Sequence, residues 1–258
     1  MNFRAWKSIA RGVVLEAIRR KDLWVIAILG CLILVCASAL GFFGMNGLES
    51  FIKDLAVTIL SLFSSIVAIL SSTRLMPEEI KNRTLYPLLA RPISRFDLLM
   101  GKLIGAVLVT WTGFFALCAL TSLALIMFHV HFDLLMLQFV IAKLMGLVVI
   151  CSVSLALSTY CSPTAASTLA VVLVFGSGIV VRAMVMAYST AGAGTQVMFT
   201  AINAVLPQFG LFDLGARVAN LHWGPVPAWV LGTLFAYMVF YSAAMLALGW
   251  LKFRKQAV

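Results

Sequence analysis

The chain has 258 residues, 63% of them hydrophobic and only 11% charged, with a mean hydropathy of +1.08. A soluble domain runs near about 45–50% apolar and about 25% charged, so this chain has too little polar surface for a water-facing shell and lipid must solvate much of it. The net charge of +10 would suit nucleic acid only if the basic side chains shared one soluble patch; they fall in three separated segments, which removes nucleic acid as a partner.

Residues 1–22 read as an amphipathic helix at a membrane surface. Phe3, Trp6, Ile9, Ala10, Val13, Ala17 and Ile18 recur at three and four, while Arg4, Lys7 and Arg11 take another face. A first apolar span follows at 23–43. Its Ala37-Ser38-Ala39 looks like a cleavage site, but the apolar run before it is long for a removable signal, and the reading is an uncleaved span. Further spans are expected at 55–73, 98–128, 135–160, 163–186 and 226–251, each near the roughly 20 residues a bilayer core requires. The transmembrane domain therefore covers 23–258, with two long polar intervals, a charged one at 74–97 and a charge-poor one at 188–224. The expected fold is an all-α membrane protein with six transmembrane helices, an N-terminal interfacial helix and a short cytoplasmic helix between helices two and three.

The charges orient it. Six basic residues lie in the N-terminal segment, six in 74–102 and three in the tail, leaving Lys53, Lys143, Arg182 and Arg217 of the nineteen. With six spans those three segments share one side, and positive residues mark the cytoplasmic side, so both termini are expected inside the plasma membrane, for a bacterium the inner membrane. Lys53 abuts Asp54 at the outer mouth of span two, and Arg182 falls near the outer surface. Lys143 sits about 12 Å into the bilayer if its span begins at 135. It snorkels if 134–142 is interfacial; otherwise it lines a cavity or meets a partner on another helix.

The interval from Arg74 to Asp97 carries the sharpest pattern. Pro77 suits the first turn of a helix, Glu78 and Glu79 sit at its positive end, and Glu79 and Arg83 are spaced for an ion pair. Pro87 stops that helix near Tyr86. Ser94 with Asp97 makes a capping-box-like start for span three, and Gly101 and Gly105 give GxxxG, which permits close helix contact. Held between prolines, such an element is stiff enough to carry motion from a cytoplasmic partner into spans two and three. Spacing alone leaves a solvated basic loop as an equal reading.

The stretch MPEEIKNRTLYPLLARPISRFDLLMGKLIG over 76–105 resembles the signature loop of type-2 ABC exporter permeases. It is nearest the branch that includes copper-enzyme and nitrous-oxide-reductase maturation permeases. ARGVVLEAIRRKDLWV and VLPQFGLFDLGARV are similar to that branch as well. The resemblance implies a membrane-spanning permease subunit that pairs with a second copy of itself, docks two copies of a separate nucleotide-binding ATPase, and moves substrate by alternating access. The ATPase-coupling contact would comprise Pro77, Glu78, Glu79, Arg83, Arg91, Pro92, Ser94 and Arg95. The 1–22 helix would be the connecting helix, and 196–221 would form outer elements closing the exit. No GxxxxGK[ST] occurs in the chain, so ATP and magnesium belong on the partner and this subunit is expected to bind no cofactor and to be no enzyme. The alternative is a membrane scaffold or mechanotransmission subunit acting on an envelope partner without transport, for which a closed apolar dimer interface without a cavity would speak.

Other constellations are weaker. His129 and His131 with Asp133 have a metal-like spacing, but only His222 could add a further imidazole, and an interfacial loop is the better reading. Met184, Met186 and Met198 could mark a metal path, but filling packing gaps is the better reading. Ser61, Ser64 and Ser65 would line either a translocation path or a dimer axis, or serve ordinary helix packing. Asp213 and Arg217 are expected to pair locally across one helical turn. The five cysteines form no CxxC pair, and no set of residues has the layout of a catalytic triad, so no catalytic residue is expected.

Overall fold

The computed structural model describes residues 3–19, 48–77, 94–127, 133–188, 192–219 and 224–255. The expected first span at 23–43, Glu78, Glu79, Arg83, Arg91 and Pro92 of the coupling segment, and His129 and His131 lie outside the described residues.

The described chain folds as helices: α1 (Phe3–Arg19), α2 (Leu48–Thr73), α3 (Arg95–Met127), α4 (Leu134–Tyr160), α5 (Pro163–Tyr188), α6 (Ala193–Val205), a 3-10 turn (Phe209–Phe212), α7 (Gly215–Ala219) and α8 (Ala228–Lys255). Among the described residues five helices, α2, α3, α4, α5 and α8, are long and apolar enough to cross a membrane. In lipid an unpaired backbone amide costs several kcal/mol, and a helix satisfies each of them within its own segment. These five match the second to sixth expected spans to within a few residues at most ends. The larger departures are the start of α2, seven residues before the expected 55, and the end of α8, four beyond 251.

Contacts at the helix ends fix an alternating up-and-down course. Lys53 at the start of α2 reaches Asp133 before α4. At the other end of the bundle Arg95 of α3 reaches the carbonyl of Phe253 in α8, and the Tyr160 hydroxyl at the end of α4 donates to Leu248 O. α4 is the central post. It packs against α2, α3, α5, α8 and the 3-10 turn, and Phe139, Ala142, Leu147, Val149 and Leu155 along it are fully buried. By contrast, α5 and α8 bury only 17% of their apolar spans within the protomer, against 61% for α2 and 56% for α4. Their outward rows, such as Val172, Ile179 and Val185 on α5 and Trp229, Phe235 and Phe240 on α8, therefore need lipid or another chain as solvent.

α1 does not stand apart from the bundle. It lies along the first turns of α3, where a Cβ on Gly101 would come within 2.9 Å of Ile9 and one on Gly105 within 2.7 Å of Val13. The GxxxG pair thus serves an intrachain contact, and it buries Ala10 and Val13.

Candidate functional site

Among the described residues, two places stand out where charged side chains enter the bundle. The first is the start of α3. Ser94 caps the helix, its hydroxyl taking the Asp97 N–H at 3.0 Å and donating to Asp97 Oδ2 at 2.6 Å. This is the local arrangement that the Ser94–Asp97 spacing implies. The other carboxylate oxygen accepts from the indole Nε1 of Trp6 at 2.7 Å, which pins α1 to the same turn.

On the α8 side, Arg95 donates to Phe253 O at 2.8 Å and to Arg254 O at 3.3 Å, and its guanidinium stacks 5.5 Å from the Phe253 ring centroid. Both bonds place positive charge on the exposed carbonyls at the negative end of a helix. Two helical turns further, Lys102 is fully buried and donates to Leu75 O at 2.7 Å, with Met76 Sδ at 3.3 Å. A buried ammonium is costly unless polar partners replace its water; here the carbonyl beyond α2 does so. Helical backbone resumes at Leu75 after a turn at Arg74, and Pro77 falls in its first turn. Residues 94–102 thus tie α3 to α1, to the chain leaving α2 and to the end of α8, at the flanks of the 78–93 segment.

The second place is a cavity of about 440 Å³ toward the opposite end, between α2, α4, α5, the 3-10 turn and α7. Ligand cavities of this size are ordinary, at about 300–1,000 Å³. Its charged lining comprises Asp54, Lys143, Arg182 and Asp213, and its hydroxyls come from Thr58, Ser61 and Ser65. The wall opposite α2 exists because Gly146 has no side chain, for a Cβ there would meet Phe212 at 2.7 Å. Without that close approach the 3-10 turn could not seat on α4.

The structure separates the three candidate serines. Ser61 and Ser65 line the cavity, whereas Ser64 is fully buried and bonds the Leu60 carbonyl of its own helix. Ser65 donates back to Ser61 O at 2.6 Å, while the Ser61 hydroxyl is buried without a partner. Lys143 does not snorkel. Its helix begins at Leu134, which places it about 14 Å along α4, and it is 6% exposed on the cavity wall. Its position was ambiguous in the sequence because the start of the span sets the depth, and because the 3-10 turn that helps wall the cavity has no periodic signal.

Asp213 departs from its expected pairing as well. It precedes α7, whose first residue is Gly215, so it cannot share a helical turn with Arg217; its Oδ1 accepts from the Gly215 N–H at 3.0 Å. Asp213 lines the same cavity as Lys143. Of the three methionines, Met184 lines a second, apolar hollow of about 310 Å³ between α5 and α6, while Met186 and Met198 are exposed. Among the described residues no group of three His, Cys, Asp or Glu could hold a metal ion.

Long apolar helices, with polar side chains turned inward onto backbone carbonyls or into a cavity, define a multi-pass membrane protein. Residues 8–258 match the ABC-2 family transporter protein model, and the chain belongs to that family, whose members are membrane components of ABC transporters. A search of curated proteins gave no match.

Proposed function

We propose that the chain is the permease subunit of an ATP-binding-cassette exporter in a bacterial inner membrane. Two copies pair, and each docks one of two separate ATPase subunits at its basic, cytoplasmic end. ATPase closure drives alternating access. The orientation follows from the concentration of Lys and Arg at the end that holds the start of α3 and the end of α8. The 76–105 stretch favours the copper-enzyme maturation branch. In this reading 74–97 is the coupling segment, with Pro77, Glu78, Glu79, Arg83, Arg91 and Pro92 at or near the ATPase, α1 is the connecting helix, and the elements after α5 close the exit.

The observation that carries the proposal is the knot at residues 94–102. A push that reaches the start of α3 is passed on, because Lys102 holds the Leu75 carbonyl and Arg95 holds that of Phe253. Displacement there has to move α1, α2, α3 and α8 together. The cavity lined by Ser61, Ser65 and Lys143 favours transport over a scaffold, since a scaffold needs no polar hollow within its span.

The test replaces Glu78 and Glu79 with alanine in the assembled complex and measures subunit association and ATPase activity. Loss of association, or ATP hydrolysis no longer linked to the permease, is expected; unchanged assembly and activity would remove the segment from the mechanism.

A further inference from the structure

Lys143 is a buried amine to which its surroundings supply no ion-pair partner among the described residues. An ammonium within a span is costly, up to about 2.5–3.5 kcal/mol at the centre by insertion scales, so such groups pair, reach water or serve a ligand. Among the described residues no carboxylate comes within the 4.0 Å of an ion pair with Lys143. Asp213 shares the cavity lining with it but already accepts the Gly215 N–H. Asp54 and Asp213 are exposed, where water solvates them. Lys143 is 94% removed from solvent, being 6% exposed, and beside it the cavity offers the unpartnered hydroxyl of Ser61. Arg182 adds a second cation on the α5 wall. Apart from the hydroxyls of Thr58 and Ser65 the remaining lining is apolar, including Leu62 and Phe175, both of which extend to the exposed faces of α2 and α5.

We propose that this cavity binds an amphiphile with an acidic head group, carboxylate or phosphate, placed against Lys143 and Ser61, its apolar chain leaving between α2 and α5. Arg182 draws the head group in, and Asp54 and Asp213 set a negative rim that disfavours a second anion. The assignment rests on the reading above that the cavity lies on a transport path, and it names the class of molecule that path takes. A resident anionic lipid and an exported acidic amphiphile share this chemistry, and ATP-dependent release separates them.

The experiment uses the purified full chain in a neutral maltoside detergent, titrated with radiolabelled dodecyl phosphate. Dodecanol, dodecyltrimethylammonium and inorganic phosphate serve as competitors. Saturable binding of dodecyl phosphate is expected, displaced poorly by all three. Lys143→Gln should weaken it roughly tenfold or more, the loss of about one charge-assisted contact, and Lys143→Arg should retain most of it. Gly178 lines the cavity and a Cβ there meets nothing within 4 Å. Gly178→Leu therefore fills the space without disturbing the fold and is expected to abolish binding; it serves even if Lys143→Gln fails to fold. Unchanged affinity in either variant, displacement by dodecyltrimethylammonium or dodecanol as strong as by unlabelled dodecyl phosphate, or equal displacement by inorganic phosphate would overturn the proposal. Binding that behaves as expected in a chain that never associates with an ATPase would leave the site standing and remove the transport reading.

Discussion

Lys53 and Asp133 illustrate how unequal the two ends of one ion pair can be. The amine is 2% exposed and the carboxylate 55%, at 2.9 Å. Solvent screening on the Asp133 side keeps the pair near the surface range of up to about 1 kcal/mol. Asp133→Asn is expected to lower the thermal stability of the detergent-solubilised chain by about that amount, whereas Lys53→Met costs less, because it removes a desolvated charge and leaves Asp133 to water. Gly105→Leu is a stronger lesion. A 2.7 Å approach to Val13 leaves no room, and overpacking of this kind costs typically about 1–3 kcal/mol. Protease sensitivity of α1 in the variant measures whether the helix lifts away.

At this scale the sequence was most legible where partners are near in the chain. Ser94 and Asp97 announce their cap, since three residues suffice to build it. That Asp97 also accepts from Trp6, 91 positions away, carries no local signal, nor does the fit of Gly146 to Phe212.

At the scale of elements, the apolar spans could be read to within a few residues at most ends, because crossing a bilayer demands about 20 apolar residues in a row. The region after α5 could not. Segment 188–224 is poor in charge, with Asp213 and Arg217, and has no sustained period; its described residues form α6, the 3-10 turn and α7 through contacts with partners elsewhere. Gln138 supplies one such partner to the chain entering α8. Its amide donates to Val226 O and accepts the Val226 N–H, both at 2.8 Å, satisfying two backbone groups next to Pro225 and Pro227. Gln138→Leu leaves those groups unpaired at a cost of about 1–3 kcal/mol, read as a lowered melting temperature. Lys102 tests an element's function. Lys102→Met removes a buried charge and its bond to Leu75 O, so the bundle is expected to fold and to recruit the ATPase. Transport per ATP should fall severalfold, however, because α2 and α3 no longer move as one. Equal transport per ATP in the variant would discard the tie as a coupling element.

For the whole molecule, the sparsely buried α5 and α8 present two outward faces, and they are not equivalent. The cavity is lined in part by α2 and α5, including Phe175 and Arg182, which are exposed. A second copy seated there would close it, while α8 would meet lipid. With the five native cysteines replaced by serine, Ile179→Cys is expected to form a disulfide-linked dimer on oxidation in native membranes, and Phe240→Cys is not. The reverse pattern would put the pairing face on α8.

The seat of α1 on α3 also bears on how the protein is made. Trp6 has to wait for Asp97, and at about 5–20 residues per second that delay lasts roughly five to twenty seconds of synthesis. Through that interval an amphipathic segment with Trp6, Ile9 and Val13 on its apolar side lacks its seat on α3, and a head-group layer is one surface that would shelter it. A nascent chain stalled before residue 95 would thus leave its leading helix adrift on the bilayer, open to quality-control proteases, until the ribosome delivers its berth.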